Sequence, residues 1–160
     1  MYQNESTPVT LFSGSDQWRV LSTGHNSNHM HAIAKDGTLW GWGFGVLGND
    51  DSTALSMTPL TTFAGGNNWK SVCTGHDFTV AIKTDGTLWT WGANSVGQLG
   101  VLYSTYQRRY TPVTTFGGGN NWENCYCGVG NDSYVWATKT DGTLWTWGKN
   151  NKRQSGNYLS

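Results

Sequence analysis

Residues 75–100 read GHDFTVAIKTDGTLWTWGANSVGQLG, and the fold follows from the middle of that stretch. Asp-Gly at 85–86 is a strong short-range hairpin signal, because a tight antiparallel turn needs residues that tolerate positive φ. The dipeptide predicts a two-residue type I′ loop. Before it, Phe-Thr-Val-Ala-Ile-Lys (78–83) has the β-branched and aromatic content of a strand, and after it Leu-Trp-Thr-Trp (88–91) reads as the returning strand. Trp89 and Trp91 stand two apart, so on a strand both indoles point to one face of the sheet.

The same core recurs. Asp-Gly-Thr-Leu-Trp occurs at 36–40, 85–89 and 141–145, and each copy continues as x-Trp-Gly to Gly43, Gly92 and Gly148. A Trp that opens a strand recurs at Trp18, Trp69 and Trp122, spaced 51 and 53 residues apart, with a glycine six residues after each at Gly24, Gly75 and Gly128. One unit then reads as strands at 69–74, 78–83, 88–91 and 112–115. Four short antiparallel strands in about 50 residues make a propeller blade. The expected fold is all-β: three four-stranded antiparallel β-propeller blades in one domain, 1–160, with repeats at approximately 18–68, 69–121 and 122–160.

In each blade the indoles of Trp40 and Trp42, Trp89 and Trp91, Trp145 and Trp147 are expected to wedge neighbouring sheets apart. A buried indole contributes at most about 4–6 kcal/mol by area. Gly37, Gly86 and Gly142 are the hairpin glycines. The segment 6–12 (Ser-Thr-Pro-Val-Thr-Leu-Phe) matches 110–116 (Tyr-Thr-Pro-Val-Thr-Thr-Phe), the closing strand of a repeat, and is expected to act as a latch strand. Three blades fall short of the 4–8 that close a ring, so the arc is expected to be completed by oligomerisation or by further blades.

Composition narrows the function. The chain has 10 basic and 10 acidic residues and a formal net charge of zero, with 12% of residues charged. A nucleic-acid binder shows a basic excess on one face, so no nucleic-acid partner is expected. The first residues, Met-Tyr-Gln-Asn-Glu, carry neither a basic region nor an apolar stretch, so no signal peptide is expected; no run of about 18 apolar residues occurs, so no membrane partner is expected either. The expected location is virion-associated or cytoplasmic.

No catalytic constellation is legible, and neither an enzyme nor a cofactor is expected. Asp36, Asp85 and Asp141 sit in separate turns. His25 and His76 follow equivalent glycines and read as hydrogen-bond donors within blades. His29 and His31 could share a metal only with a third ligand, which the spacing does not provide, so no metal site is expected. Cys73, Cys125 and Cys127 are odd in number and lack zinc spacing, which reads as reduced, packed thiols. Repeats reveal function where they differ. The stretch from Trp91 to Pro112 is four residues longer than that from Trp42 to Pro59 and carries Tyr103, Tyr106, Arg108, Arg109 and Tyr110. Tyrosine and arginine are enriched at interface hot spots. These five, with Asn131 and Tyr134 of a longer loop after Gly128, are the candidate binding residues.

The pattern from Gly75 to Gly100, with its Gly-His, Ala-Ile-Lys, Asp-Gly-Thr-Leu-Trp-x-Trp-Gly and closing Gly-Gln-Leu-Gly, resembles the regulator of chromosome condensation repeat, in a prokaryotic or phage form. The first repeat keeps Gly24-His25, Ala32-Ile33 and Leu47-Gly48, whereas the third has Val129 where the second has His76. The resemblance implies a propeller whose face loops bind proteins, and fold alone does not carry function between such members. The expected role is a non-enzymatic interaction and assembly module, bound to a protein partner or to itself, in a viral or phage decoration, tail or host-contact part. The alternatives are a cytosolic protein-binding regulator or inhibitor, and a lectin-like glycan binder.

Overall fold

The structure is a computed structural model that describes residues 18–51, 55–62, 64–101, 108–115, 118–128 and 132–156. The expected latch at 6–12 and the candidate residues Tyr103, Tyr106 and Asn131 lie outside the described residues, as does the side chain of Tyr110. Three antiparallel meanders follow one another. The first blade contains β1 (Trp18–Thr23), β2 (His29–Ala34), β3 (Leu39–Phe44) and β4 (Leu55–Thr61). The second contains β5 (Trp69–Thr74), β6 (Phe78–Lys83), β7 (Leu88–Ala93) and β8 (Arg108–Thr114). The third, among the described residues, contains β9 (Trp122–Cys127), β10 (Tyr134–Lys139) and β11 (Leu144–Gly148).

Two details differ from the sequence expectation. The strand expected at 112–115 begins earlier, at Arg108, because Gly92 and Ala93 at the end of β7 still have backbone to pair, with Arg109 and Arg108. Pro112 is tolerated because β8 is an edge strand. The hairpin is also not type I′. Only its glycine has positive φ, at +87° for Gly37, +79° for Gly86 and +83° for Gly142. Gly37 N–H donates to Ala34 O, and Ala34 N–H donates to Thr38 O, both at 3.0 Å. This is the longer loop with a left-handed glycine that forms a bulge. The aspartate is held out of the left-handed region by its neighbour: Thr38 donates to Asp36 Oδ1 from both N (3.0 Å) and Oγ1 (2.7 Å). Trp40 Nε1 in turn donates to Thr38 Oγ1 at 2.6 Å. The relay recurs at Asp85–Thr87–Trp89 and Asp141–Thr143–Trp145. The threonine hydrogen bonds hold all three carboxyls below their ordinary pKa.

Blades stack face to face in chain order, with β5 packed on β1 and β2, and β9 on β5 and β6. Ile33, Leu39 and Val46 of the first blade pack on Trp69, Val72, Ala81 and Trp91 of the second. Cys73, Phe78, Val80, Ile82, Leu88 and Leu99 of the second pack on Trp122, Cys125, Val135 and Ala137 of the third. The opening Trp of each blade meets both indoles of its Trp-x-Trp pair, as Trp69 does with Trp89 and Trp91 at 6.3 and 6.4 Å between ring centroids. Lys83 Nζ lies 4.8 Å over both Trp69 and Trp89, and Lys139 repeats this over Trp122 and Trp145. Trp91 is fully buried in its seam. Trp145 is not a wedge, being 43% exposed. Trp40 and Trp89 pair with Thr61 of β4 and Thr114 of β8, and β11 has no fourth strand beside it among the described residues.

The cysteines correct the expectation of three reduced thiols. Cys73 of β5 is disulfide-bonded to Cys127 of β9, 54 residues away, so the second and third blades are stapled together. Cys125 remains a thiol, buried in the same seam, and desolvation pushes its pKa up to about 12. A loop of this size stabilises by about 4 kcal/mol in the chain-entropy estimate. Cys73→Ser, or reduction of the native chain, is therefore expected to lower the free energy of unfolding by about 2–4 kcal/mol, measured as a shift in guanidinium midpoint.

The turn glycines give a second expectation. A Cβ on Gly86 would run into the backbone carbonyl of Asn120 in the next blade, whereas one on Gly142 meets nothing within 4 Å. Both substitutions incur the left-handed penalty of about 1–2 kcal/mol. Gly86→Ala should therefore cost clearly more than Gly142→Ala in matched denaturant titrations.

Candidate functional site

Three places concentrate chemistry. The first is the seam between the first two blades, where β2 puts His29 and His31 on one face. Both are buried, with ring centroids 5.5 Å apart. Thr79 Oγ1 of β6 lies 3.4 Å from His29 Nε2 and 3.4 Å from His31 Nδ1, so one hydroxyl bridges the imidazoles. His29 Nδ1 meets Ser27 Oγ at 3.0 Å, and His31 Nε2 meets Leu47 O at 3.3 Å. Desolvation lowers the pKa of His29 to about 4 and that of His31 to about 3. Asp77 raises the first; His76 and Arg108 lower it. His29 lowers the second, and the hydrogen bond to Leu47 raises it. Both rings are therefore neutral at pH 7. Among the described residues no group of three His, Cys, Asp or Glu could hold a metal ion.

The second place is the edge of the second blade. Arg108 Nη2 and His76 Nδ1 lie 3.5 and 3.4 Å from Asp77 Oδ2, a half-exposed cluster. Arg109 follows Arg108 in β8. Tyr134 is elsewhere, at the start of β10, with its ring 6.5 Å from that of Trp136. The structure thus does not bring Arg108 and Tyr134 into one site.

The third place was not singled out from sequence. The outer face of the third blade bears Tyr126 of β9, Trp136 of β10 and Leu144 of β11, exposed by 59%, 40% and 61%. Tyr126 pairs with Trp136, and Trp136 with Thr146, so the three share one face. Their counterparts in the second blade, Cys73, Val80 and Leu88, are buried under the third blade. The signal was present in the repeat columns, where Tyr126 and Trp136 replace a cysteine and a valine. No helix among the described residues is long and apolar enough to cross a membrane, which says nothing of strands.

Antiparallel meanders stacked face to face around tryptophan seams define an arc of β-propeller blades. The description "Regulator of chromosome condensation (RCC1) repeat" matches residues 69–98. The ultraviolet-B receptor UVR8 of Arabidopsis thaliana is 28% identical over 141 residues, covering 86% of this chain and 31% of the receptor. Among solved structures, Prp20p of Saccharomyces cerevisiae aligns with a TM-score of 0.74 at 19% identity over 90% of this chain and 36% of that one. Human WBSCR16 aligns with a TM-score of 0.69 at 20% identity over 82% of this chain and 33% of that one. The match to the regulator of chromosome condensation repeat thus covers the second blade, the fold is that of the propeller relatives, and the chain spans about a third of the length of the relatives it matches.

The neutral histidine pair makes stability pH-dependent. Below pH 6.5 the unfolded chain takes up protons that the folded seam refuses until about pH 4 and about pH 3. The contribution is therefore fully present above pH 6.5 and lost as pH falls towards 4, with a slope of up to about 2.7 kcal/mol per pH unit for two protons. His29→Phe with His31→Val, the residues the second blade holds as Phe78 and Val80, should flatten that slope in urea titrations between pH 6.5 and 4.

Proposed function

We propose that this chain is a non-enzymatic protein-interaction and assembly module. The observation that carries the reading is the bare aromatic face of the third blade. Tyr126, Trp136 and Leu144 stand together on a rigid sheet in the places that inside the arc are buried against another blade. Clustered exposed apolar surface on a soluble fold marks an interaction site, and tyrosine and tryptophan are the side chains most enriched at the centres of such sites. Among the relatives, Prp20p, which is yeast RCC1, is described by its binding to Gsp1p and histones and by its complex with Kap60. Those similarities support protein as the ligand class for this chain.

The finer reading is a structural component of a viral or phage particle, in decoration, tail or host contact. The inter-blade disulfide supports it, because such bonds persist outside reducing cytosol, and a staple between blades suits a part that must stay rigid there. The protein-binding relatives favour a second reading, a cytosolic regulator or inhibitor working through the same face.

A photo-crosslinking amino acid in place of Tyr126, activated in the native source, tests the proposal. Adducts with protein are expected, either a second copy or a different chain. Adducts confined to glycan, together with binding on a glycan array, would sink it.

A further inference from the structure

We propose that the bare face of the third blade seats the opposite face of the first blade of a second copy of this chain, head to tail. The proposal rests on the protein-interaction reading above and deepens it by naming the partner. The argument is continuity with the two seams already inside the molecule, which repeat three contacts.

At one end of each seam the hairpin turn of one blade accepts a hydrogen bond from the opening strand of the next. Trp69 N–H donates to Gly37 O, and Trp122 N–H donates to Gly86 O, both at 3.0 Å. In the middle, β1 meets β5, where Thr74 N–H donates to Ser22 Oγ at 2.9 Å, and β5 meets β9 at the same two positions through the Cys73–Cys127 disulfide. At the far end a glycine of positive φ lies on the last indole of the next blade. A Cβ on Gly48 would sit 3.0 Å from Trp91 Nε1, and one on Gly100 would sit 2.9 Å from Trp147 Nε1.

The third blade presents the leading half of all three contacts, the half that accepts the hydrogen bonds in the internal seams. Gly142 and Gly156 have nothing within 4 Å of their Cβ positions, and Gly156 keeps the positive φ of its counterparts, at +67°. Tyr126 occupies the Ser22 and Cys73 position and is exposed. The first blade presents the following half, the half whose backbone N–H groups donate in the internal seams. Thr23 holds the Thr74 and Cys127 position, and Trp42 the Trp91 and Trp147 position. Beside Trp42 lies a cavity of about 200 Å³ lined also by Thr23, Met30 and His29. In the second blade the corresponding residues Thr74, Thr79 and Trp91 are all buried, Thr74 against Ser22, Thr79 against His29 and His31, and Trp91 against Gly48 of the first blade. Leu21, 64% exposed, stands where Val72 and Cys125 are buried. Apolar residues thus persist on both outer faces at the positions that make seams, and one outer face is the complement of the other. A contact of this kind is heterologous, so copies add in one direction and close if the rotation permits.

Tyr126→Cys in one preparation and Thr23→Cys in another place thiols where the internal seam has its disulfide. Both positions are exposed, so neither substitution disturbs a core. Mixing the two full-length chains under mild oxidation is expected to give a disulfide-linked dimer between the two variants. Gly156→Val in the Tyr126→Cys chain should cut its yield at least about tenfold, equivalent to roughly 1.4 kcal/mol. Absence of that heterodimer in chains with unchanged circular dichroism, or coupling of Tyr126→Cys only to itself, overturns the proposal. Protein adducts at Tyr126 in the native source from a chain other than this one would overturn it too, while leaving the protein-interaction reading standing.

Discussion

An indole can lie against the end of a neighbouring sheet only where that neighbour carries no side chain. Gly48 under Trp91 and Gly100 under Trp147 meet this requirement, and the positive φ of each, +81° and +60°, excludes other residues a second time. The contact fixes how closely successive blades approach. Everything else in a seam fits around that distance, from the hairpin carbonyl that meets the next opening Trp to the thiols that reach far enough to bond. The last turn of the first blade is three residues shorter than that of the second, counted from Gly43 to Gly48 and from Gly92 to Gly100. Its effect is local: Trp147 Nε1 donates to Gln98 O at 3.0 Å, whereas Trp91 Nε1 is buried with no partner. The indole is held by shape in both places and by a hydrogen bond in one.

The two seams share a plan and differ in chemistry. Between the second and third blades the contact is apolar and covalently closed, with Phe78 and Val80 at the positions where the first blade has His29 and His31. Between the first and second an apolar cluster around Trp69 and Trp91 is joined by hydroxyls and by neutral imidazoles bridged by Thr79, with no covalent link. A neutral ring that satisfies its nitrogens inside a seam is stable only while it stays unprotonated. Acid therefore weakens the first seam, whereas the second is also closed by the Cys73–Cys127 disulfide.

Much of this was legible in the chain. Repeat spacing and alternation placed the strands of the second blade from Trp69 to Lys83 without error, because those positions are set by burial on both faces and by the indole pair. The hairpin type was not legible, because Asp-Gly serves both loop lengths and the choice lies in the threonine that captures the aspartate. The disulfide was hidden for a different reason. Counting cysteines along one chain treats Cys125 and Cys127 as neighbours, but they share a face of β9, and only the stacking of blades decides which one meets Cys73. The exposed face of the third blade shows only once the stacking of blades is known, because its residues stand in repeat positions that are buried in the second blade; Trp145 lies on the opposite face, against Trp122. A wedge needs a closing strand beside it as well as a repeat motif behind it. Of the residues expected to bind, Arg108 opens the fourth strand of the second blade and Tyr134 the second strand of the third, so they stand on different blades and at different repeat positions.

The character of the third blade's outer face also bears on how it is used. Compared with the second blade, Tyr134 stands for Phe78, Tyr126 for Cys73, Trp136 for Val80 and Thr138 for Ile82, while Leu144 and Thr146 keep the residue types of Leu88 and Thr90. The exchange retains large flat area and adds hydroxyls at its edges. A purely aliphatic face of that size would be a folding core cut open, and in water it would aggregate. Tyrosine and tryptophan carry apolar contact area together with a polar tip that water can satisfy before a partner arrives. The substitutions therefore turn a surface that elsewhere in the molecule is buried on folding into one that tolerates solvent and is buried on binding. That difference separates a permanent seam from an interface that forms and releases.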